Sequence, residues 1–184
     1  MEYPLLTERL SIRPLALNDL ASFVSYRQDA SIARFQSWEP SYSEHEAREL
    51  IESQAGVFLP DKGQWLQLGL HDLVSDELVG DLALHSVVEG EGIFELGFTI
   101  AKKHQGQGFV KEAASMLLSY LVAEVGATKF VANTDRRNVA SIAVLLALGF
   151  LRDPSRTWEE NFKNEDVIMD YFETGLSGQR SMNP

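Results

Sequence analysis

The chain has no cysteine, which excludes disulfide staples, thiolate nucleophiles and thiolate metal sites together. No apolar run approaches the roughly 18 residues of a membrane span, and the opening MEYPLLTERL lacks the basic and apolar regions of a secretory leader. Positive charge is also scarce. Sixteen Lys and Arg stand against 27 Asp and Glu, for a formal net charge of −11. An averaged surface of that sign repels phosphate backbones, so nucleic-acid partners are not expected. It serves solubility or steers a cationic substrate, and composition leaves both open. These absences together favour a cytoplasmic protein without membrane or nucleic-acid partners.

What is present fits one globular domain: 184 residues, 45% of them apolar, with no repeat of solenoid or propeller period. Residues 1–174 are expected to form the domain and 175–184 a tail. RLSIRPL alternates into Pro14 and reads as a strand, after which Asn18 or Asp19 can cap a helix carrying Leu20, Phe23 and Val24. A more polar helix runs from Ser43 through Glu52, with Ser43 and Glu46 at the spacing of a capping box. WLQLGLHDL and ELVGDLALHSVV predict a hairpin whose turn, VSD, lacks glycine. GIFELGFTIA predicts a third strand, with an interior Gly97 that invites a bulge or a close backbone approach. Helical spacing of Val110, Ala113, Leu117 and Leu121 follows, up to Gly126. KFVAN is a short strand, NVASIAVLLAL a helix capped by Asn138 and stopped by Gly149, and strands are expected near 150–160 and 166–172 despite Pro154. The order βααβββαβαββ describes an α/β (α+β) domain around a mixed sheet flanked by helices.

KKHQGQGFVKEA joins the third hairpin-region strand to the long helix. A strand end, a turn with Gly106 and Gly108 and a helix start aim several backbone N–H groups at one point, a cradle for an anion or simply a tight turn. It is not a P-loop, because no Gly-Lys-Ser/Thr closes it. It is not the dinucleotide fingerprint either, because Lys111 stands where the third glycine would be. The four histidines show no metal-ligand spacing, so no metal is expected.

The run ELGFTIAKKHQGQGFVKEA, followed by VANTDRRNVASIAVLLALGF, resembles the GCN5-related N-acetyltransferase (GNAT) superfamily, and LLTERLSIRPLALNDLASF resembles its RimJ/RimL-type branch. The resemblance covers about residues 5–173. It implies an N-acetyltransferase in which acetyl-CoA is attacked directly by a primary amine, of a protein N-terminus or a small molecule. The pyrophosphate is then expected on the backbone of Gln105, Gly106, Gln107, Gly108 and Phe109, the pantetheine arm along Phe98, Thr99 and Ile100, and a cation at Lys103 where relatives carry Gln or Arg. The tyrosine that many members use as proton donor is absent, Leu145 standing in its place. The branch pattern NxxS implies Ser141 as the donor and Asn138 as a cofactor contact, although Ser141 could instead bond the backbone of the helix end. Glu95 matches a glutamate that serves many relatives as general base, and it could equally pair across the sheet. Glu159 and Glu160 are further candidates for the base. Family position places Phe35, Trp38, Glu39 and Tyr42 at the substrate mouth, or else over the core. A homodimer is compatible with the resemblance, and so is a catalytically silent module that binds acetyl-CoA or a protein partner.

Overall fold

A computed structural model of the chain describes residues 3–175. One sheet contains β1 (Leu5–Leu6), β2 (Leu10–Pro14), β3 (Trp65–Asp72), β4 (Leu78–Ser86), β5 (Ile93–Ile100), β6 (Lys129–Asp135), β7 (Leu151–Phe162) and β8 (Glu165–Gly175). Its spatial order is β1-β2-β3-β4-β5-β6-β8-β7, and only the pair β5 and β6 is parallel. The helices are α1 (Leu20–Arg27), α2 (Ala30–Ala33), α3 (Glu44–Ser53), α4 (Phe109–Tyr120) and α5 (Val139–Ala147). The expected βααβββαβαββ order is present, with a two-residue β1 and a one-turn α2 added. The tail expected over 175–184 lies outside the described residues, apart from Gly175 at the end of β8. Among the described residues no helix is long and apolar enough to cross a membrane.

Strand alternation decides which face each helix covers. Leu10 and Ile12, Leu66, Leu68 and Leu70, Leu82 and Leu84, and Phe94 and Leu96 are alternate residues on four neighbouring strands. All point into one core with Ala113 and Leu117 of α4 and Leu145 of α5. The residues between them face the other way. There Asp81 of β4 accepts a hydrogen bond from the Tyr26 hydroxyl of α1 at 2.6 Å, and a second core gathers Phe23, Tyr26, Ile51, Leu78 and Ala101. Helices α4 and α5 therefore lie on one side of the sheet and α1 to α3 on the other.

Several local signals act as the residue types predict. The Ser43 hydroxyl accepts from the Glu46 N–H at 3.2 Å while the Glu46 carboxylate accepts from the Ser43 N–H at 2.7 Å, a complete capping box. Asn138 Oδ1 accepts from the Ser141 N–H at 3.2 Å at the start of α5. Other signals are diverted. Asp19 occupies the N-cap of α1 but makes no cap bond; its carboxylate binds the Ala16 N–H at 2.8 Å and buried His71 Nε2 at 2.9 Å. Gly97 makes no bulge, since β4 and β5 stay in register through it. Instead, a Cβ there would stand 3.3 Å from that of Ala83 and 3.8 Å from the Trp65 ring. Pro154 sits where the β7–β8 register breaks between Asp153 and Trp158, on an edge strand, which is where a residue without an N–H is tolerated.

Candidate active site

The parallel pair is short. Only Ile93–Glu95 of β5 and Lys129–Val131 of β6 are partners, and beyond them the strands part. The other edge of β5 stays paired with β4 as far as Ile100, and the Ala101 N–H continues the ladder to Val79 O at 2.9 Å. That bond fixes the alternation, so the N–H and C=O groups of Leu96, Phe98 and Ile100 face the gap. Two side-chain amides already reach them, Gln36 Nε2 to Phe98 O at 3.4 Å and Gln105 Nε2 to Ile100 O at 3.2 Å. A free strand edge of this kind is a template for an extended, amide-bearing ligand.

The gap opens into a cavity of about 450 Å³. At one end Gly106 and Gly108 have φ of +74° and +80°, and Gly108 is the N-cap of α4. Side chains rarely adopt that left-handed conformation, whereas space is not limiting: nothing lies within 4 Å of a Cβ at Gly106, and only Arg9 Nη2, at 3.7 Å, near one at Gly108. The turn thus presents open backbone at the positive end of a 12-residue helix. Lys111, in the first turn of α4, lines the cavity and makes no ion pair among the described residues.

A second strut holds this turn from a distance. Arg9 sits in the β1–β2 turn, its guanidinium 4.5 Å from the centre of the Phe109 ring, donating from Nη1 to Gln107 O at 3.1 Å and from Nε to Glu112 at 2.7 Å. Glu112 also accepts from the Arg9 N–H at 2.9 Å and the Thr7 hydroxyl at 2.5 Å. Burial pulls the Glu112 carboxyl upward, but these donors outweigh it and hold the group below its ordinary pKa.

Of the residues expected at the site, Phe35, Phe98, Thr99, Ile100, Gln105, Gly106, Gly108, Phe109, Asn138 and Ser141 line the cavity. The Ser141 hydroxyl has no hydrogen-bond partner within the protein among the described residues; its helix end is capped by Asn138 instead. Leu145 also lines the cavity.

Eight expected residues do not line it. Lys103 turns away to pair with Glu77, and Gln107 points its side chain at Lys103 O, 3.2 Å away. Glu95 lies at the point where the strands part, its two oxygens held by Asn133 Nδ2 at 2.8 Å and His85 Nδ1 at 3.2 Å. Trp38 and Tyr42 enclose the buried Arg27 guanidinium, 3.8 and 4.9 Å from their ring centres, so these two rings belong to the second core. Glu39 stands 3.5 Å from Lys163. Lys163, at the tip of the β7–β8 hairpin, also donates to Ala33 O at 2.9 Å and to Trp38 O, tying that hairpin to the α2 region. Glu159 and Glu160 lie on β7, near Asn161 and Asp166 and away from the cavity. Among the described residues no group of three His, Asp or Glu could hold a metal ion.

Residues 9–151 match the model of the acetyltransferase (GNAT) domain family. An uncharacterized N-acetyltransferase, p20, of Bacillus licheniformis is 26% identical over 149 residues, which are 81% of this chain and 83% of that one. Among solved structures, the ribosomal L7/L12 alpha-N-protein acetyltransferase RimL in complex with coenzyme A is 16% identical with a TM-score of 0.79, over 95% of this chain and 98% of that one. Spermidine N-acetyltransferase of Vibrio cholerae, in complex with CoA and spermine, is 21% identical with a TM-score of 0.72, over 88% and 94%. With its parted parallel strands, glycine turn and family-model match over most of its length, the chain belongs to the GNAT family and is an acyltransferase.

Proposed function

We propose that the chain transfers an acetyl group from acetyl-CoA to a primary amine of a protein N-terminus or a small molecule. The observation that carries this reading is the parting of β5 from β6 directly beside the open glycine turn, with Ser141 across the gap. The residues fit the co-substrate. The Gly106–Phe109 backbone would hold the pyrophosphate with Lys111 adding charge, and the free edge of Leu96, Phe98 and Ile100 would bond the amides of the pantetheine arm. Acetyl-CoA, when bound, supplies an activated acyl carbon and a thiolate leaving group.

The chain's own residues supply positioning and proton movement. Glu95 takes a proton from the incoming ammonium through one water, which frees the nitrogen lone pair, and the Ser141 hydroxyl gives a proton to the departing sulfur. The transfer needs a neutral amine at attack, a proton on the departing thiolate, and loss of the second nitrogen proton, which returns to Ser141. The solved relatives are named for both acceptor classes, a protein α-amine and spermidine. The test is thiol release from acetyl-CoA over a panel of N-terminal peptides, polyamines and aminoglycosides. Turnover on at least one amine is expected, and a protein that binds acetyl-CoA but turns over none would be a silent binding module.

A further inference from the structure

On the α1–α3 side of the sheet, β3, β4, β5 and β6 carry a row of half-exposed side chains beside the cavity. Cα registers place Trp65 against His85 and His85 against Glu95, while Gly97 is paired with Ala83 one step along. The His85 and Trp65 rings stack almost parallel, 13° apart with centres 4.7 Å away. His85 Nδ1 lies 3.2 Å from Glu95 Oε2, and Asn133 Nδ2 lies 2.8 Å from Oε1. Asn133 and Gly97 line the cavity, so the row reaches its wall. From behind, Gln54 at the end of α3 anchors β3, accepting from the Gln67 N–H at 2.9 Å and donating to Trp65 O at 3.2 Å.

We propose that His85 and Asn133 are positioning residues for Glu95, and that Trp65 fixes the His85 ring that performs this task. This rests on the transferase reading of the site. A glutamate has three side-chain rotors, and a base acting through one water needs a fixed direction. Each carboxylate oxygen of Glu95 receives one donor, which orients the group and leaves its other lone pairs for that water. Next to carboxylate, His85 Nδ1 carries the hydrogen that Glu95 accepts. The proton balance is simple. The ammonium loses a proton to Glu95 by way of water, the nitrogen lone pair forms the new C–N bond, the C–S bond breaks and the sulfur takes its proton from Ser141; the nitrogen then gives up its second proton, which restores Ser141, and Glu95 releases the first to solvent.

The alternative is a clamp that merely holds β5 to β6 where their ladder stops. Two variants separate these. His85→Phe keeps a ring to stack on Trp65 and removes the hydrogen bond, whereas His85→Asn restores a donor near the same place without the ring. The expected result for His85→Phe is a kcat at least tenfold lower, with the KM for acetyl-CoA and its thermal stabilisation of the protein unchanged; His85→Asn should recover part of the rate. Wild-type kcat in His85→Phe overturns the inference alone. A loss of melting temperature without a loss of kcat assigns the row to the clamp and overturns it equally. If the wild-type protein itself turns over no amine in the panel, the transferase reading fails and takes this inference with it.

Discussion

Ser141 and Asn138 share one helix end and divide two tasks. Asn138 satisfies the orphan N–H of Ser141, and the serine hydroxyl is left for the cavity. Because a proton donor acts on charge that develops only as sulfur departs, Ser141→Ala should lower kcat about a hundredfold while acetyl-CoA affinity and melting temperature stay near wild type. Asn138→Ala should do the reverse in stability, losing about 1 kcal/mol of cap energy. Rate and melting curves on both variants check this. Normal turnover in Ser141→Ala would shift the donor to water. At the same scale, Lys103 shows how an ion pair redirects a residue: its charge is satisfied by Glu77, whereas Lys111 lines the cavity and makes no ion pair among the described residues.

The elements that matter most are the glycine turn with α4 and the short parallel pair. Gly108 carries φ of +80°, and a side chain there costs on the order of 1–2 kcal/mol in backbone strain even where its Cβ meets open space. Gly108→Val adds bulk over the N–H groups at the helix start. It is expected to weaken acetyl-CoA binding at least tenfold by calorimetry with an unchanged circular dichroism spectrum, whereas Val74→Ala, on an exposed loop, should bind normally. Unchanged affinity in a folded Gly108→Val protein would place the anion cradle elsewhere. The strut from Arg9 to Glu112 joins β2's entry to the first turn of α4 across about a hundred residues of chain, so the turn is braced by the sheet edge as well as by its own dihedrals.

Across the whole molecule, a ligand that binds only the folded state raises its stability by mass action. A hundredfold excess of acetyl-CoA over its dissociation constant should therefore add about 2.7 kcal/mol, and ATP and NAD at the same concentration far less. Equal shifts in melting temperature from all three would make the turn a general anion site. The acid side of the stability curve has a separate origin. Burial pulls upward on the carboxyls of Asp19, Asp135 and Asp170, but hydrogen bonds from His71, Arg137 and Arg136 respectively hold all three below the ordinary aspartate value. Carboxyls lowered in the folded state contribute stability that is complete above the unfolded pKa, about 4, and is lost as pH falls through the lowered values. Asp81 has the opposite sign, because burial raises its pKa beside the Tyr26 hydroxyl, and its protonation partly offsets the loss. Melting temperatures from pH 7 to pH 3 should fall steeply below about pH 4. A flat profile to pH 3 would show that the three pairs add nothing.

What was legible in the sequence is what neighbours in the chain decide among themselves. The capping box at Ser43, the Asn138 cap, the alternation of Leu10 with Ile12 and of Leu82 with Leu84, and the glycines before α4 all act within a few residues, and the structure contains each of them. The direction of a side chain that has a distant partner is a different matter. Trp38 and Tyr42 turned inward because Arg27 needed aromatic faces in a dry setting, Asp19 left its helix end for buried His71, and Glu95 meets His85 and Asn133 from two other strands. Nor does any local pattern state that β5 and β6 will pair for three residues and then diverge. That parting follows from strands held on their outer edges by β4 and β8 while only one end of the shared edge zips, a balance of non-local ladders that exists only once the sheet has assembled.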